Sequence, residues 1–220
     1  MESGSASCPL CGAAAGLACT RDERLFFHCP TCDLVFVPSR LHDSLSEERR
    51  RYETHENTLD NAGYVAMFER FIELVSRHCP GVETILDYGS GPGPVLVELL
   101  RRRGFRAEGY DPIFAPDTDL SRRFDAVVST ETFEHFARPR REIERIEGLI
   151  RGGGFLALMT LFHGEHHFTA DWWYTRDSTH VAFYSHRTIR WICEAFRFDL
   201  VYLDEKNVAI LRASQDDAGG

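Results

Sequence analysis

Residues 84–94 of the chain read TILDYGSGPGP. A short apolar run ends at Asp87, and glycine then occupies every second position, which predicts a β-strand followed by a tight turn. Glycine accepts positive φ angles and lets a ligand approach the main chain closely. Pro94 suits the first turn of a helix, because no backbone N–H is needed there. The stretch therefore predicts a strand, a ligand-binding turn and a helix start, in the order typical of an α/β fold. The glycines of the turn are Gly89, Gly91 and Gly93.

The chemistry of this turn favours one class of ligand. Turns that bind a dinucleotide pyrophosphate read G-x-G-x-x-G/A, and Pro94 stands at the third position of that pattern. The Asp87 carboxylate repels a phosphate but attracts a positively charged amino group. S-adenosylmethionine carries an ammonium and a sulfonium and has no phosphate. We therefore expect S-adenosylmethionine as the cofactor at this turn.

Two further motifs support this expectation. Asp111 lies 18 residues after Gly93, where nucleotide-binding folds place an acceptor for the ribose hydroxyls. Residues 124–130 read FDAVVST, which predicts another strand, and Glu134-His135 follow shortly after it. With these motifs the chain, from about residue 82 to about residue 211, resembles the class I S-adenosylmethionine-dependent methyltransferases, whose fourth strand is often followed by Glu-His.

The resemblance implies a Rossmann-like α/β sheet and a set of site residues. Ser129 and Thr130, at the end of the 124–130 strand, are additional candidates for cofactor binding. His135 is the candidate general base, because it follows a strand at the carboxyl edge of the sheet and titrates near working pH. Glu134 is a candidate to orient it, as is Glu131. In similar sugar C-methyltransferases, which also carry a cysteine-rich zinc module, the matching Glu-His pair lies beside the acceptor. The alternative is that His135 caps the next helix or hydrogen-bonds within the fold.

One departure from the family concerns the segment after Asp111. Phe124 follows Asp111 by only 13 positions, where the family fits a helix and a further strand whose end contacts adenine. We therefore expect a shortened third-strand region and a sheet of about six strands rather than seven. Phe114 and Asp117 are the candidates for the adenine contact.

Four cysteines near the N-terminus predict a zinc site. They form two C-x2-C pairs that are separated by 17 residues, a spacing typical of a structural zinc ion with four thiolates. Such a metal replaces a core that about 30 residues cannot build alone. We expect a zinc ribbon over residues 1–42. The ligands would be Cys8, Cys11, Cys29 and Cys32.

Residues 43–80 have helical spacing of apolar residues. The segment resembles the helices that precede the first strand in class I methyltransferases and partly cover the cofactor. In that case Tyr52 or His55 would lie over the cofactor, and Tyr52 is our candidate contact. A solvated linker is the alternative.

The long segment 161–184 is rich in aromatic residues and histidine, and long segments of this kind in compact domains tend to be functional. Residues 176–184 resemble the Asp-x-x-His-x-x-x-Tyr/Phe segment of a bacterial zinc-ribbon methyltransferase subgroup, in which it faces the acceptor. His180 is therefore a catalytic candidate. The candidates for acceptor contact are Trp173, Tyr174, Arg176 and Tyr184. A second metal site at His163, His166 and His167, with Asp171 or Glu165, is an alternative to solvated histidines.

The length, charge and cysteine content restrict the number of domains and the class of protein. A chain of 220 residues fits one main domain with a small appendage. The net charge of −9 argues against a general nucleic-acid binder. No apolar run approaches the roughly 20 residues of a membrane span, no secretory signal begins the chain, and the paired cysteines suit a reducing cytoplasm. The expected domains are a zinc ribbon (1–42), a helical lid or linker (43–80), the S-adenosylmethionine-binding domain (81–212) and a flexible tail (213–220).

The sequence thus predicts a zinc-ribbon methyltransferase that acts on a small-molecule acceptor, such as a sugar or a natural product. Two alternatives remain open at this stage. One is an RNA-modifying methyltransferase that docks RNA on the ribbon, and the other is a cofactor-binding scaffold without activity.

Overall fold

A computed structural model describes residues 4–52, 58–164, 168–169 and 171–215. These residues form eleven strands and five α-helices. The strands are β1 (Ser5–Ser7), β2 (Ala14–Arg21), β3 (Arg24–His28), β4 (Val35–Phe36), β5 (Thr84–Tyr88), β6 (Arg106–Tyr110), β7 (Phe124–Thr130), β8 (Ile150–Met159), β9 (Ala182–Phe183), β10 (Phe198–Leu203) and β11 (Val208–Ala213). The α-helices are α1 (Leu45–Tyr52), α2 (Ala62–His78), α3 (Val95–Arg102), α4 (Pro139–Leu149) and α5 (His186–Ala195). Short 3-10 helices span Ser39–Leu41, Phe133–His135 and Trp173–Arg176.

The central sheet has six strands in the order β10-β11-β8-β7-β5-β6. Strands β6, β5, β7 and β8 are parallel, and β11 and β10 pair antiparallel to their neighbours. This mixed sheet confirms the expected Rossmann-like class and the expected six strands. Between β6 and β7 the chain forms only an isolated bridge from Asp111 to Ala115, because the connection is too short for a helix and another strand.

Two apolar cores cover the faces of the central sheet. On one face, α2 and α3 pack side chains such as Ile72 and Leu100 against Ile85 of β5. On the other face, α4 and α5 pack side chains such as Ile146 and Ile189 against the sheet. Ser185 caps α5: its side chain accepts from the Thr188 amide, and the Thr188 hydroxyl accepts from the Ser185 amide. Within the described residues, no helix combines the length and the apolar character needed to cross a membrane.

The N-terminal strands form a second, antiparallel sheet in the order β1-β2-β3-β4-β9. We call β1–β4 with their four paired cysteines the cysteine module. Its sheet is extended by β9, which comes from the aromatic segment before α5, through the pairs Val35 with Phe183 and Phe36 with Ala182. The sheet therefore joins residues on both sides of the expected boundary at residue 42.

Candidate functional site

A cavity of about 1270 Å³ opens at the carboxyl ends of β5, β6 and β7. This is the edge at which open parallel sheets bind ligands. The glycine turn after β5, the loop after β6 and the segment after β7 form its floor, and α4 forms one wall. Helices α1 and α2 also contribute to the wall through Ser46, Arg49, Tyr64 and Phe68. The expected lid region thus borders the cavity, while the side chain of Tyr52 and all of His55 lie outside the described residues.

The glycine turn lies close to the segment that follows β7. Gly89 has a φ of +88°, and a Cβ at this position would lie 2.3 Å from Cγ2 of Thr132. Gly91 also has positive φ, at +65°. Side chains are therefore excluded at Gly89 by both conformation and space, which leaves the main chain of the turn exposed to the cavity. Gly93 lines the same cavity.

Asp87 ends the apolar part of β5 and is 2% exposed. Its Oδ1 atom is buried and has no hydrogen-bond partner among the described residues. Burial, and then the nearby Asp111 carboxylate, raise the pKa of Asp87 to about 7. A buried acceptor of this kind is costly unless a donor satisfies it. The atom therefore fits a cationic donor in the cavity, as the ammonium of S-adenosylmethionine provides.

Asp111 follows β6 and organises the loop beside the turn. Its Oδ1 accepts hydrogen bonds from the amides of Ile113 (2.8 Å) and Phe114 (3.0 Å), and its Oδ2 accepts one from the Gly91 amide (3.1 Å). A carboxylate has about four acceptor positions, so capacity for a ribose hydroxyl remains. Of the two adenine candidates, Phe114 lines the cavity and Asp117 does not.

The two candidates at the end of β7 differ in position. Thr130 lines the cavity. Ser129 is fully buried, and its Oγ donates to the Tyr88 carbonyl at 2.8 Å. The Ser129 hydroxyl therefore joins β7 to β5, and Ser129 is not among the cavity-lining residues.

Glu134, His135 and His180 come together at the cavity, and we call them the Glu–His–His cluster. One ligand-type atom from each lies within 4.8 Å of the others, and the two imidazole rings are 4.8 Å apart between centroids. Glu134 is fully buried, its Oε2 accepts from the Thr160 hydroxyl at 2.8 Å, and its Oε1 has no hydrogen-bond partner within the part of the chain that is described. The three predicted catalytic residues are thus neighbours, although His180 is distant in sequence.

Backbone carbonyls orient both histidines. Nδ1 of His135 lies 3.1 Å from the Thr179 carbonyl oxygen, and Nδ1 of His180 lies 2.8 Å from that of Tyr174. The Thr179 carbonyl therefore helps to hold the His135 ring in place. Helix α4 has no side-chain cap, so His135 does not cap it. Burial, and then the neighbouring His135, lower the pKa of His180 to about 4.

The four acceptor-contact candidates lie elsewhere. None is among the cavity-lining residues. Trp173 is 62% exposed and Arg176 is exposed, whereas Tyr174 and Tyr184 are buried. The Tyr184 hydroxyl donates to the Phe133 carbonyl at 3.1 Å, and the Tyr174 ring packs 4.2 Å from the His180 ring. Tyr174 and Tyr184 therefore pack within the fold beside the cluster, and contact of these four residues with an acceptor stays a prediction.

Arginines on α4 were missed by the sequence interpretation. Arg141 and Arg145 of α4 line the cavity, as does Arg138 directly before the helix. The spacing of four residues places Arg141 and Arg145 on one helix face. The Arg145 guanidinium lies 4.7 Å from the Tyr110 ring centroid. This spacing is visible in the sequence and could have indicated a basic helix face at the cavity, but the same pattern is common on solvated helices.

The four paired cysteines converge as expected. Their sulfur atoms lie within 4.8 Å of one another, with Cys8 to Cys32 at 3.5 Å and Cys11 to Cys29 at 3.3 Å. Each pair lies on a similar turn, in which Gly12 or Asp33 has positive φ and donates to the carbonyl of the first cysteine. Four converging thiols are a suitable tetrahedral donor set for zinc.

The alternative of a second metal site at the histidines of the aromatic segment falls only partly within the described residues. Glu165, His166 and His167 lie outside the described residues. His163 is 7% exposed, and its Nε2 contacts the Asp33 carbonyl oxygen at 3.0 Å. His163 therefore connects the aromatic segment to the cysteine module.

A family model described as a methyltransferase domain matches residues 56–203 of the chain. The chain belongs to this methyltransferase family. The match spans the glycine turn, Asp111 and the Glu–His–His cluster, so all of the cavity except the part lined by α1 lies within the family's domain. A search of curated protein sequences finds no match.

Solved structures share the fold of this methyltransferase at low sequence identity. One is 1,6-didemethyltoxoflavin-N1-methyltransferase from Burkholderia thailandensis, solved with 1,6-didemethyltoxoflavin and S-adenosylhomocysteine: identity is 13%, the TM-score is 0.56, and 88% of this chain and 100% of that chain are covered. The N-methyltransferase NodS from Bradyrhizobium japonicum, solved with S-adenosylhomocysteine, has 15% identity, a TM-score of 0.52 and coverage of 78% and 99%. An O-methyltransferase family protein from Burkholderia thailandensis has 17% identity, a TM-score of 0.53 and coverage of 77% and 64%, so the chain spans less than two thirds of that protein. These likenesses establish the fold.

Proposed function

We propose that this methyltransferase transfers the methyl group of S-adenosylmethionine to a small-molecule acceptor. The observation that carries the proposal is the buried Asp87 Oδ1, which has no partner among the described residues and lies beside a glycine turn. A positively charged amino group satisfies this atom, whereas a phosphate group would be repelled by it. The solved relatives that hold S-adenosylhomocysteine support the same cofactor.

The chain offers a contact for each part of the cofactor. Asp87 would hold the amino group, the main chain of the glycine turn would hold the amino-acid part, Asp111 would accept from the ribose hydroxyls, and Phe114 would contact adenine. When bound, S-adenosylmethionine supplies an electrophilic methyl group that needs no further activation by the protein. The chain then has to orient the acceptor in line with that methyl group and to handle the acceptor's proton.

The Glu–His–His cluster is our candidate for the acceptor end of the cavity. It lines the same cavity as the glycine turn, and drug-sized ligands need about 300–1,000 Å³, so the volume suits a cofactor together with a small acceptor. In the transfer, an acceptor atom forms a bond to the methyl carbon while the bond from carbon to sulfur breaks, and S-adenosylhomocysteine leaves with the electron pair. The acceptor's proton goes to the cluster or to water.

We also propose a structural zinc ion at the four cysteines and the four-part organisation 1–42, 43–80, 81–212 and 213–220.

Arg24 argues against the cysteine module as an RNA-docking surface. Its guanidinium donates to the backbone carbonyls of the 175–180 loop, so this charge points inward and does not serve a phosphate. The scaffold alternative predicts no tight binding of S-adenosylmethionine.

Replacement of Asp87 tests the cofactor site. Asp87→Asn keeps the side-chain volume but removes the charge, and we expect affinity for S-adenosylmethionine to fall at least about a hundredfold, because the ammonium loses its charged acceptor. Isothermal titration calorimetry measures this directly. Asp117→Asn is the control, because Asp117 is exposed and outside the cavity, and it should bind as the wild type does. The proposal fails if the wild-type chain ignores S-adenosylmethionine and binds NAD or ATP instead.

A further inference from the structure

The donor atoms of the Glu–His–His cluster are arranged as ligands of a cation. Two imidazole nitrogens and one carboxylate oxygen lie within 4.8 Å of one another. Ligands bound about 2.1 Å from one ion lie about 3.0–3.5 Å apart, so small side-chain rotations would close the set around an ion. All three residues line the cavity.

The hydrogen bonds of the two histidines select the nitrogen that would bind. A carbonyl oxygen only accepts, so Nδ1 of His135 and Nδ1 of His180 both donate to their carbonyl partners. In the neutral imidazoles, Nε2 therefore carries the lone pair. Metal-bound histidines almost always donate their other ring N–H to a carbonyl or carboxylate in this way.

Glu134 supplies the independent observation that points to a ligand. Its side chain is fully buried, the Thr160 hydroxyl holds Oε2 at 2.8 Å, and Oε1 lacks a hydrogen-bond partner within the described ranges. A buried carboxylate oxygen without a partner is costly. Glu131 adds a second carboxylate to the cavity wall and has a φ of +49°, the kind of backbone strain that concentrates at functional sites.

We propose that Glu134, His135 and His180 bind one divalent transition-metal cation, whose open positions face the cavity and bind a hydroxyl of the acceptor for O-methylation. Two imidazoles and one carboxylate suit ions such as Mn²⁺, Co²⁺ or Zn²⁺ and leave positions open. The O-methylation step rests on the proposed function, whereas the binding of the metal ion to these three residues does not. Within it, His135 is a ligand and not the general base.

The chemistry of the step is balanced without another reactant. Coordination lowers the pKa of the acceptor hydroxyl, its O–H bond breaks, and the proton passes to water in the open cavity. The oxygen then forms a bond to the methyl carbon, and the carbon–sulfur bond breaks with its electron pair on sulfur. The products are the methyl ether and S-adenosylhomocysteine.

The test is a titration of the full chain with Mn²⁺ or Co²⁺, after the cysteine site has been loaded with one equivalent of zinc. Mn²⁺ prefers oxygen and nitrogen ligands to thiolates, so its paramagnetic resonance signal reports the cluster, and the visible spectrum of Co²⁺ distinguishes nitrogen and oxygen ligands from sulfur. We expect one equivalent to bind. Glu134→Gln and His180→Gln should each weaken binding at least about tenfold, and Thr160→Val, which frees Oε2, should weaken it about tenfold.

Two matched controls separate the cluster from general effects. Glu142→Gln removes a carboxylate that lines the same cavity but hydrogen-bonds to the Tyr88 hydroxyl. His186→Gln removes a histidine that contacts the Asp204 carbonyl outside the cavity. Both should bind the metal as the wild type does, and the thermal unfolding temperature reports whether each variant is folded.

The metal site is refuted if neither ion binds with a stoichiometry of one, or if Glu134→Gln binds as tightly as the wild type. Failure of the wild-type chain to bind S-adenosylmethionine refutes the proposed function instead. Because the metal titration needs neither cofactor nor acceptor, the two failures are distinguishable.

Discussion

At the scale of single residues, Asp87 connects local sequence to chemistry most directly. It closes an apolar strand, so folding buries it, and burial together with Asp111 raises its pKa from 3.8 to about 7. Between these values the folded chain binds more protons at Asp87 than the unfolded chain does. The free energy of unfolding of the cofactor-free chain therefore falls as the pH rises from about 4 to about 7, and a cationic ligand offsets this cost.

The raised pKa predicts a pH dependence of cofactor binding. Only the ionised carboxylate attracts the ammonium, so affinity for S-adenosylmethionine should fall about tenfold for each pH unit below about 7. Calorimetry between pH 5.0 and 6.5 measures this, and it stays below the range in which the ammonium, with an ordinary pKa of about 7.7–8.0, loses its proton. Asp111→Asn removes the neighbouring charge and should move the midpoint to lower pH. An affinity that is constant over this range would contradict the role of Asp87.

At the scale of elements, Arg24 of β3 connects the cysteine module to the loop that carries His180. Its Nη1 donates to the carbonyls of Thr175 (2.7 Å) and Asp177 (3.0 Å), and its Nη2 donates to those of Ser178 (3.3 Å) and His180 (2.6 Å). On the other side of the loop, Arg51 of α1 holds the Asp177 carboxylate at 2.8 Å. The loop is thus fixed from two elements that precede the central sheet in the chain.

Replacement of Arg24 should displace His180 of the Glu–His–His cluster, although the Arg24 side chain is not part of that cluster. Arg24→Lys keeps the charge but cannot reach four carbonyls with a single ammonium, and we expect a loss of about 2–3 kcal/mol of stability and a marked loss of turnover. Thermal unfolding and methyl-transfer assays measure the two effects. Arg106→Lys is the control, because the Arg106 ion pair with Glu83 is largely exposed, and such pairs contribute about 0–1 kcal/mol. Unchanged turnover in Arg24→Lys would contradict a positioning role.

The sequence predicted those elements whose signals are local. The glycine turn and the place of Asp87 at a strand end follow from neighbouring residues, and the missing strand follows from the short distance between Asp111 and Phe124. The pairing of β4 with β9 carries no local signal, because two-residue strands have no readable period. Tyr174 and Tyr184 were placed at the acceptor because aromatic rings suit binding and packing equally, and their burial is a property of the folded chain.

At the scale of the whole molecule, the two sheets form one continuous structure. One apolar core contains Cys8 and Cys29 of the cysteine module together with Leu86 of β5 and Ile189 of α5. The Ser185 hydroxyl, next to β9, donates to the carboxylate of Asp33, next to Cys32, at 2.5 Å. A substitution at the cysteines should therefore also affect the packing of the central sheet and of α5.

Loss of one cysteine ligand tests this connection. Cys29 is fully buried, and Cys29→Ser should release the metal, lower the melting temperature and reduce methyl transfer, because β4 holds β9 and the loop before it. Metal analysis, thermal unfolding and activity assays measure these effects. Cys193→Ser, outside the four cysteines, should keep its metal. If Cys29→Ser retains one zinc per chain, the zinc-ribbon interpretation is wrong.

The pairing of β4 with β9 also bears on how the chain can be divided. Separate expression of residues 1–42 and 43–220 would leave β4 and β9 each with unpaired backbone groups along one edge. Separation would also expose apolar side chains that the two parts bury together, such as Val35 and Phe183. Each fragment alone should therefore aggregate, whereas co-expression should let the two pieces recombine into one particle.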